Sequence, residues 1–310
     1  LSAGALALVV VTWECAEHLA ALASSMNGKL DREVELIVVD NDSSDDPEAA
    51  AQRWRGSSRF ARLDSNRGFG GAANAGVELA RAENVVLLNP DTELLDDGLV
   101  RLAAFASAKQ CLAGPRLLNP DRSVQPSAGG QLAGPWPWIG ALTPGALQPR
   151  SWQRRTEPWR LESPTRVAWL SGACIAAPRA LLRRLGPFDP AIHLYAEDMD
   201  LGLRAGRLGV PSFICPDLAR VVHRRRGSTE RRWADGPERT AAVNRRAVLR
   251  RAYGPAAERR AWWALRTNLR LRALSKLALR RDRRAELREL EAARLAAEPA
   301  PLPAFPRRSA

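Results

Sequence analysis

Three acidic residues within four positions, Glu197, Asp198 and Asp200, stand directly ahead of a helix-like run at 201–208. One carboxylate is enough to cap a helix, a contribution of ~0.5–2 kcal/mol. A second is then free to take a proton. The expectation is that one of the three caps the helix and another takes a proton from a substrate. An ordinary Asp carboxyl titrates near ~3.9, and a like charge next to it raises that value toward the range a base needs. Asp40 closes one apolar run, and Asp91 follows another within Asn-Pro-Asp (89–91). A hard divalent ion, Mg2+ or Mn2+, prefers oxygen ligands such as Asp91 and leans on substrate phosphates. His223, one of 3 histidines, can add an imidazole that Mn2+ accepts. Each group also has a purely structural reading: Asp40 and Asp91 as turn or cap residues, His223 as a surface side chain beside arginines.

The glycine-rich stretch Asn66-Arg67-Gly68-Phe69-Gly70-Gly71 can bring backbone N–H groups to a phosphate. It can equally let a helix pack close to a sheet. Its spacing is neither a phosphate-binding loop of the GxxxxGK[ST] type nor a dinucleotide fingerprint after the first strand. An ATPase and a nicotinamide enzyme are both disfavoured.

These residues need a scaffold. Residues 5–13 and 34–40 are continuous apolar runs, as expected of strands covered on both faces. Further strands fall at 59–63, 85–88 and 112–117, and helices at 18–26, 47–54, 66–81 and 96–108. Strand and helix alternate, which predicts an α/β fold with a mostly parallel sheet. Ligands then bind beyond the carboxyl ends of the strands, where Thr12, Asp40 and Asp91 fall. Residues 119–168, rich in proline and with four tryptophans, read as a long loop or lid, or as an ordered excursion. Beyond them, 167–177 is strand-like, 179–185 helical, and 211–215 a last short strand.

Helices are expected at 243–253 and 256–297. Trp262, Leu265, Leu269, Ala273 and Leu277 keep helical spacing, with Arg266 and Arg270 on the same face. A helix lying on a membrane tolerates that mixture, because arginine stems snorkel. A helix packed on the catalytic body by a narrow stripe is the alternative. The tail at 299–310 is proline-rich and expected to be disordered. The chain divides on this reading into 1–118 and 119–236, two halves of one domain, and 237–310, a basic helical extension.

The net charge of +13 and pI near 10.9 ask for an anionic partner, though an arginine-rich genome bias supplies part of the excess. Four scattered cysteines fit neither a disulfide framework nor a zinc site and suit a reducing cytoplasm. No apolar run reaches the ~18 residues a membrane span needs. The apolar opening reads as a buried strand and not a signal peptide. Nucleic-acid binding is disfavoured: no recognisable module is present, and the acidic run would repel a phosphate backbone.

Taken together, Val-Val-Val-Thr-Trp (9–13), Ile-Val-Val-Asp-Asn-Asp-Ser-Ser-Asp (37–45), Asn-Arg-Gly-Phe-Gly-Gly-Ala-Ala-Asn (66–74), Leu-Leu-Asn-Pro-Asp-Thr (87–92), Ser-Gly-Ala (171–173), Gly-Pro-Phe-Asp (186–189) and Tyr-Ala-Glu-Asp-Met-Asp-Leu (195–201) resemble glycosyltransferase family 2, rhamnosyltransferase-like branch, over about residues 5–250. The resemblance implies a GT-A fold and an inverting, metal-dependent transfer from a nucleotide-sugar donor. Carried over, 1–118 would be the nucleotide-sugar-binding half and 119–236 the acceptor-binding and catalytic half of the same domain; Asp40 would hold the base; Thr12, Glu14, Asn66, Arg67 and Gly68 would surround the nucleotide; Asp91 and His223 would hold the metal; and Asp198, supported by Glu197 and with Asp200 as helix cap, would deprotonate the acceptor. Asn89 replaces the first Asp of the family's metal motif, Trp13-Glu14 replaces a Tyr-Asn pair, and Asp42 replaces a small residue or Asn. Asn244-Arg245 resembles a pair in that branch's C-terminal helix. The expected donor is dTDP-rhamnose, with UDP-galactofuranose, UDP-GlcNAc or UDP-glucose as alternatives. The expected acceptor is a lipid-diphosphate-linked or cell-envelope glycan, met by a peripheral enzyme on the anionic inner face of the cytoplasmic membrane.

Overall fold

The structure, a computed structural model, describes residues 6–186, 188–224, 237–296, 299 and 301–302. The first part runs β1 (Leu6–Thr12), α1 (Ala16–Met26), β2 (Glu35–Asp40), α2 (Pro47–Ala51), β3 (Ser58–Arg62), α3 (Gly68–Leu79) and β4 (Asn84–Leu88). β1 is buried along its whole length, which its unbroken apolar run requires. It pairs parallel with β2 on one side and β4 on the other, so the carboxyl ends of three strands open on one edge. β3 extends the sheet beyond β2.

β5 (Thr92–Leu94), α4 (Gly98–Lys109), β6 (Leu112–Gly114) and β7 (Arg116–Leu118) follow. The single strand expected at 112–117 is two. Pro115 lacks the N–H a ladder needs, and the chain leaves the large sheet there for a small one. The stretch expected as a loop or lid is ordered: it holds β8 (Ala128–Gly129), α5 (Trp136–Leu142), α6 (Arg150–Thr156) and β9 (Thr165–Val167). Its tryptophans are tied by arginines, with Arg155 over Trp136 at 4.7 Å and Arg160 over Trp159 at 4.4 Å. Such contacts contribute ~0.5–1 kcal/mol each at exposed sites.

β10 (Trp169–Leu170), β11 (Cys174–Pro178), α7 (Arg179–Leu185), α8 (Glu197–Arg207), β12 (Ser212–Ile214) and β13 (Arg220–His223) complete the sheets. The large sheet has eight strands in the order β3-β2-β1-β4-β11-β6-β12-β9. β11 lies antiparallel between β4 and β6, so the sheet is mixed at its centre. The strand-like run at 167–177 is broken at Ser171-Gly172-Ala173, and 211–215 is not the last strand. β13 joins β5 and β7 in a three-stranded sheet.

Three helices end the described chain: α9 (Pro237–Tyr253), α10 (Pro255–Ala278) and α11 (Arg284–Leu295). The helix expected over 256–297 breaks at Arg280, whose φ of 52° no helix accommodates. Asp282 Oδ1 then accepts from the Arg284 N–H at 2.9 Å and starts α11. Ile192, Met199 and Leu203 form a core cluster with Val248, Leu249, Ala252 and Ala261, which fixes α9 and α10 against α8. Most of the expected membrane-facing stripe points inward: Trp262, Leu269 and Ala273 are buried. The expected disordered tail lies mostly outside the described residues.

Candidate active site

A cavity of about 750 Å3 opens beyond the carboxyl edge of β1, β2 and β4 and is walled on its far side by α9, α10 and α11. Asn66, Gly68, Asp91, His223, Glu197 and Asp198 all line it. Thr12, Glu14, Asp40 and Arg67 are not among its lining residues. Thr12 is buried with its hydroxyl 3.2 Å from the Cys15 sulfur. Glu14 accepts from the Ser44 N–H and hydroxyl. Asp40 accepts from the Ser43 N–H at 3.0 Å through Oδ1, while its Oδ2 has only Arg62 at 3.5 Å and no hydrogen bond. The Arg67 guanidinium turns outward to Asp64 at 2.7 Å.

The glycine-rich stretch acts through its backbone. The Asn66 side-chain oxygen accepts from the Gly68 N–H and from Asn41, whose own side-chain oxygen accepts from the Arg67 N–H. Gly68 has φ +71°, and a Cβ there would meet the His193 carbonyl oxygen at 2.0 Å. Only glycine allows this approach. The adjoining Phe69 N–H donates to the same carbonyl. The glycine-rich turn is thereby laced to the segment that leads into the acidic helix. Asn74 adds a two-way bond with the Phe188 backbone.

Sheet register brings Asp91 and His223 together. β5 and β13 pair antiparallel with His223 opposite Thr92, and the Arg224 N–H donates to the Asp91 carbonyl. His223 Nε2 lies 3.3 Å from Asp91 Oδ1. Gln125 fixes the imidazole: its amide nitrogen donates to Asn119 and to the His223 carbonyl, so its oxygen faces His223 Nδ1 at 2.8 Å. The network places Nε2 toward Asp91 Oδ1 and the Asn89 amide, where it can donate to the carboxylate or turn its lone pair to a cation. Burial pushes the Asp91 carboxyl up, but the His223 hydrogen bond and the charges of His223 and His18 outweigh it and hold it below its ordinary value. A carboxylate oxygen and an imidazole lone pair on one wall fit a hard divalent ion. Among the described residues no third protein ligand joins them, so water and substrate oxygens would fill the remaining positions.

The acidic run divides. α8 starts at Glu197, preceded by Tyr195 and Ala196 with φ of 65° and 70°. Two consecutive non-glycine residues in the left-handed region are strained. The turn they make leaves no side-chain cap on α8, and Asp200 is not the helix cap expected of it. It lies inside the helix, fully buried, between Arg204 at 3.2 Å and Arg251 of α9. Arg251 also pairs with Asp189 at 2.6 Å. Asp198 faces the cavity, partly exposed, with Oδ2 accepting from the Gly172 N–H at 2.8 Å and Oδ1 from the Met199 N–H at 2.7 Å. Burial pushes its carboxyl above the ordinary value against those two bonds. Glu197 is buried, its Oε2 has no hydrogen-bond partner, and burial followed by the Asp198 charge pushes it up to about 8. The pair therefore takes one negative charge before two.

Sequence reasoning did not assign site roles to His18, Asn41, His193, Arg245, Trp262 or Glu289, all of which line the cavity. Asn41 was legible as the neighbour of Asp40 at a strand end. The residues of α9 to α11 gave only a helical period, which does not say what a helix faces.

A GT-A glycosyltransferase is the class that this fold and this strand-edge cavity define. The model of the family described as Glycosyl transferase family 2 matches residues 7–135. An N-acetylglucosaminyl-diphospho-decaprenol L-rhamnosyltransferase of Mycobacterium tuberculosis is 32% identical over 318 residues, covering 92% of this chain and 98% of the relative. The chain belongs to glycosyltransferase family 2. Among solved structures, the mannosyltransferase PcManGT from Pyrobaculum calidifontis, in complex with GDP-Man and Mn2+, superposes with a TM-score of 0.59 at 16% identity, over 94% of this chain and 85% of that one. GalNAc-T7 with UDP, GalNAc and Mn2+ gives 0.57 at 17% identity over 79% of this chain. The chain spans 47% of that structure's length, about half.

Proposed function

We propose that this glycosyltransferase moves a rhamnosyl group, with inversion, from dTDP-rhamnose to a saccharide carried on a lipid diphosphate. The carrying observation is Asp198, held by two backbone N–H groups in the same cavity as the Asp91–His223 pair. The mycobacterial rhamnosyltransferase supports the sugar and the acceptor class, and the Mn2+ that accompanies the fold neighbours supports a divalent ion.

Asp91 and His223 would hold Mg2+ or Mn2+, which supplies charge neutralisation for a leaving diphosphate. Asp198 accepts the proton of an acceptor hydroxyl as it attacks the anomeric carbon from the face opposite the leaving group. The two N–H donors keep the carboxylate oriented before the substrate arrives, which is the preorganisation that general-base catalysis uses. Burial and the Asp198 charge favour the neutral form of Glu197, which leaves the first negative charge of the pair to Asp198. On the donor side, Asn66 and Gly68 offer the backbone turn to the nucleotide. Asp40 would meet a pyrimidine N–H through its unpartnered Oδ2, with Arg62 swinging out. Thr12 and Glu14 would shape the floor below, and Arg67 would leave Asp64 for a phosphate.

Among the described residues no helix is long and apolar enough to cross a membrane. We place the membrane contact on the outward face of α10, where Leu271, Leu274 and Leu277 are exposed among arginines. Basic residues near an anionic surface contribute about 1 kcal/mol each. The residues at 237–310 would thus close the acceptor side of the site as well as dock it, while 1–118 bind the donor and 119–236 carry the base.

The test is product analysis with dTDP-rhamnose and a panel of UDP-sugars on a short-chain N-acetylglucosaminyl-diphospho-prenol, with Mn2+, Mg2+ or chelator. Transfer from dTDP-rhamnose with inverted anomeric configuration and loss of activity on chelation support the reading. Preference for a UDP-sugar overturns the donor, and a retained configuration overturns the role of Asp198.

A further inference from the structure

Arg245 enters the cavity from α9. The residue before it fixes the register: the Asn244 amide donates to the Leu194 carbonyl at 2.8 Å and to the Tyr195 carbonyl at 3.3 Å. α9 is thus pinned to the strained turn that carries Asp198. The Arg245 guanidinium is half-buried and makes no hydrogen bond or close ion pair with any described residue. The arginines around it behave differently: Arg246 holds Glu258 at 2.7 Å, and Arg251 holds Asp189 and Asp200. Ala241 and Ala242, beside it on the cavity wall, leave it uncovered.

An arginine does not shed its charge in a protein. A half-buried guanidinium without partners is therefore a site for an anion, and its planar fork suits phosphate oxygens. The carboxylates whose fields reach it are Glu289 and Asp198. With Asn244 pinned to the turn ahead of Glu197, that places it at the Asp198 end of the cavity. In an in-line displacement the leaving diphosphate and the attacking hydroxyl occupy opposite faces of the anomeric carbon. An anion at the base end belongs to the acceptor. Trp262 of α10, buried with Arg246 over its ring at 5.4 Å, closes the wall behind it.

We propose that Arg245 binds the diphosphate of the acceptor. The inference rests on the reading of the acceptor as a lipid-diphosphate saccharide. It goes beyond that reading by assigning the recognition to α9, outside the 7–135 stretch that the family model matches.

The experiment uses the full chain, dTDP-rhamnose and two acceptors: N-acetylglucosaminyl-diphospho-farnesol and an N-acetylglucosamine alkyl glycoside that lacks the diphosphate. Arg245→Gln is expected to lower kcat/KM for the diphosphate acceptor by about 10-fold more than for the glycoside, the value of one charge-assisted hydrogen bond. The loss falls in KM. Arg245→Lys, which keeps the charge and loses the fork, restores part of it. Thermal melting and calorimetric titration with dTDP confirm folding and donor binding in both variants. Equal losses on the two acceptors overturn the assignment, because an arginine that only tuned Asp198 or braced the helices would affect both alike. If the unaltered protein transfers sugar to neither acceptor, the acceptor class itself falls and the Arg245 assignment with it. If it transfers and the losses are equal, the Arg245 assignment falls alone.

Discussion

Asp198→Asn keeps the shape of the side chain and removes its basicity. The structure sets two magnitudes. General-base assistance is typically about 10²–10⁴ in rate, and two backbone donors hold the Asp198 carboxylate in the cavity. The turnover loss should therefore reach 10²-fold or more, ~2.7 kcal/mol in the barrier. The second magnitude concerns folding. An amide presents one oxygen where the carboxylate presents two, so either the Gly172 or the Met199 N–H loses its acceptor, at about 1–3 kcal/mol. Removing a desolvated charge beside Glu197 offsets part of that. The melting temperature should move little while turnover collapses. Initial rates at saturating donor, with calorimetric titration of dTDP plus Mn2+, separate chemistry from binding. A variant that keeps kcat within about threefold of the parent, with donor affinity unchanged, would refute the assignment of Asp198 as base.

Other outcomes follow from the same geometry. Because the Glu197 carboxyl is pushed up to about 8, its protonated form is favoured by the fold, and the stability it contributes below its ordinary 4.5 is lost as pH rises to about 8. Melting curves across that window should fall less steeply for Glu197→Gln than for the parent; parallel curves would contradict it. Asp200→Ala leaves Arg204 and Arg251 facing an emptied buried site and should cost about 3–5 kcal/mol, read as a lower denaturation midpoint; a change below about 1 kcal/mol would remove Asp200 from the framework. Leu274→Asp with Leu277→Asp should weaken co-sedimentation with anionic vesicles and leave the cavity intact, since both side chains are exposed. Undiminished binding would move the docking surface elsewhere. Deleting 237–310 is not a clean test, because Arg245, Trp262 and Ala293 are part of the cavity wall.

Local physics made the first half of the fold readable. β1, β2 and β4 are buried on both faces and carry uninterrupted apolar runs, so their existence and the edge they share were legible. β11 was not: nothing in Cys-Ile-Ala-Ala-Pro (174–178) says that it inserts antiparallel between β4 and β6. Of the site, the joining of Asp91 to His223 depends on β5 pairing with β13 across more than 120 positions, which residue type suggested and only register shows. Asp200 was misread for a related reason. A carboxylate near a helix start looks like a cap, and its actual partner Arg251 is 51 residues away. Trp262 and Leu269 keep a helical period whether they face lipid, solvent or a cavity. Their direction comes from the packing of Ile192, Met199 and Leu203 on α9 and α10.

The tie between Asn244 and the turn at Leu194 and Tyr195 bears on how the protein is made. Synthesis delivers the donor edge first, in β1 to β4, and these strands pair with near neighbours in sequence. The large sheet gains its central antiparallel strand only once residue 178 has emerged, and the wall opposite Asp198 waits for Ala293. On the proposed roles, a nascent chain would hold its donor edge long before it has a place for the acceptor. A chain cut ahead of α9 would keep Asp198 but lack the surface proposed to bring a hydroxyl to it.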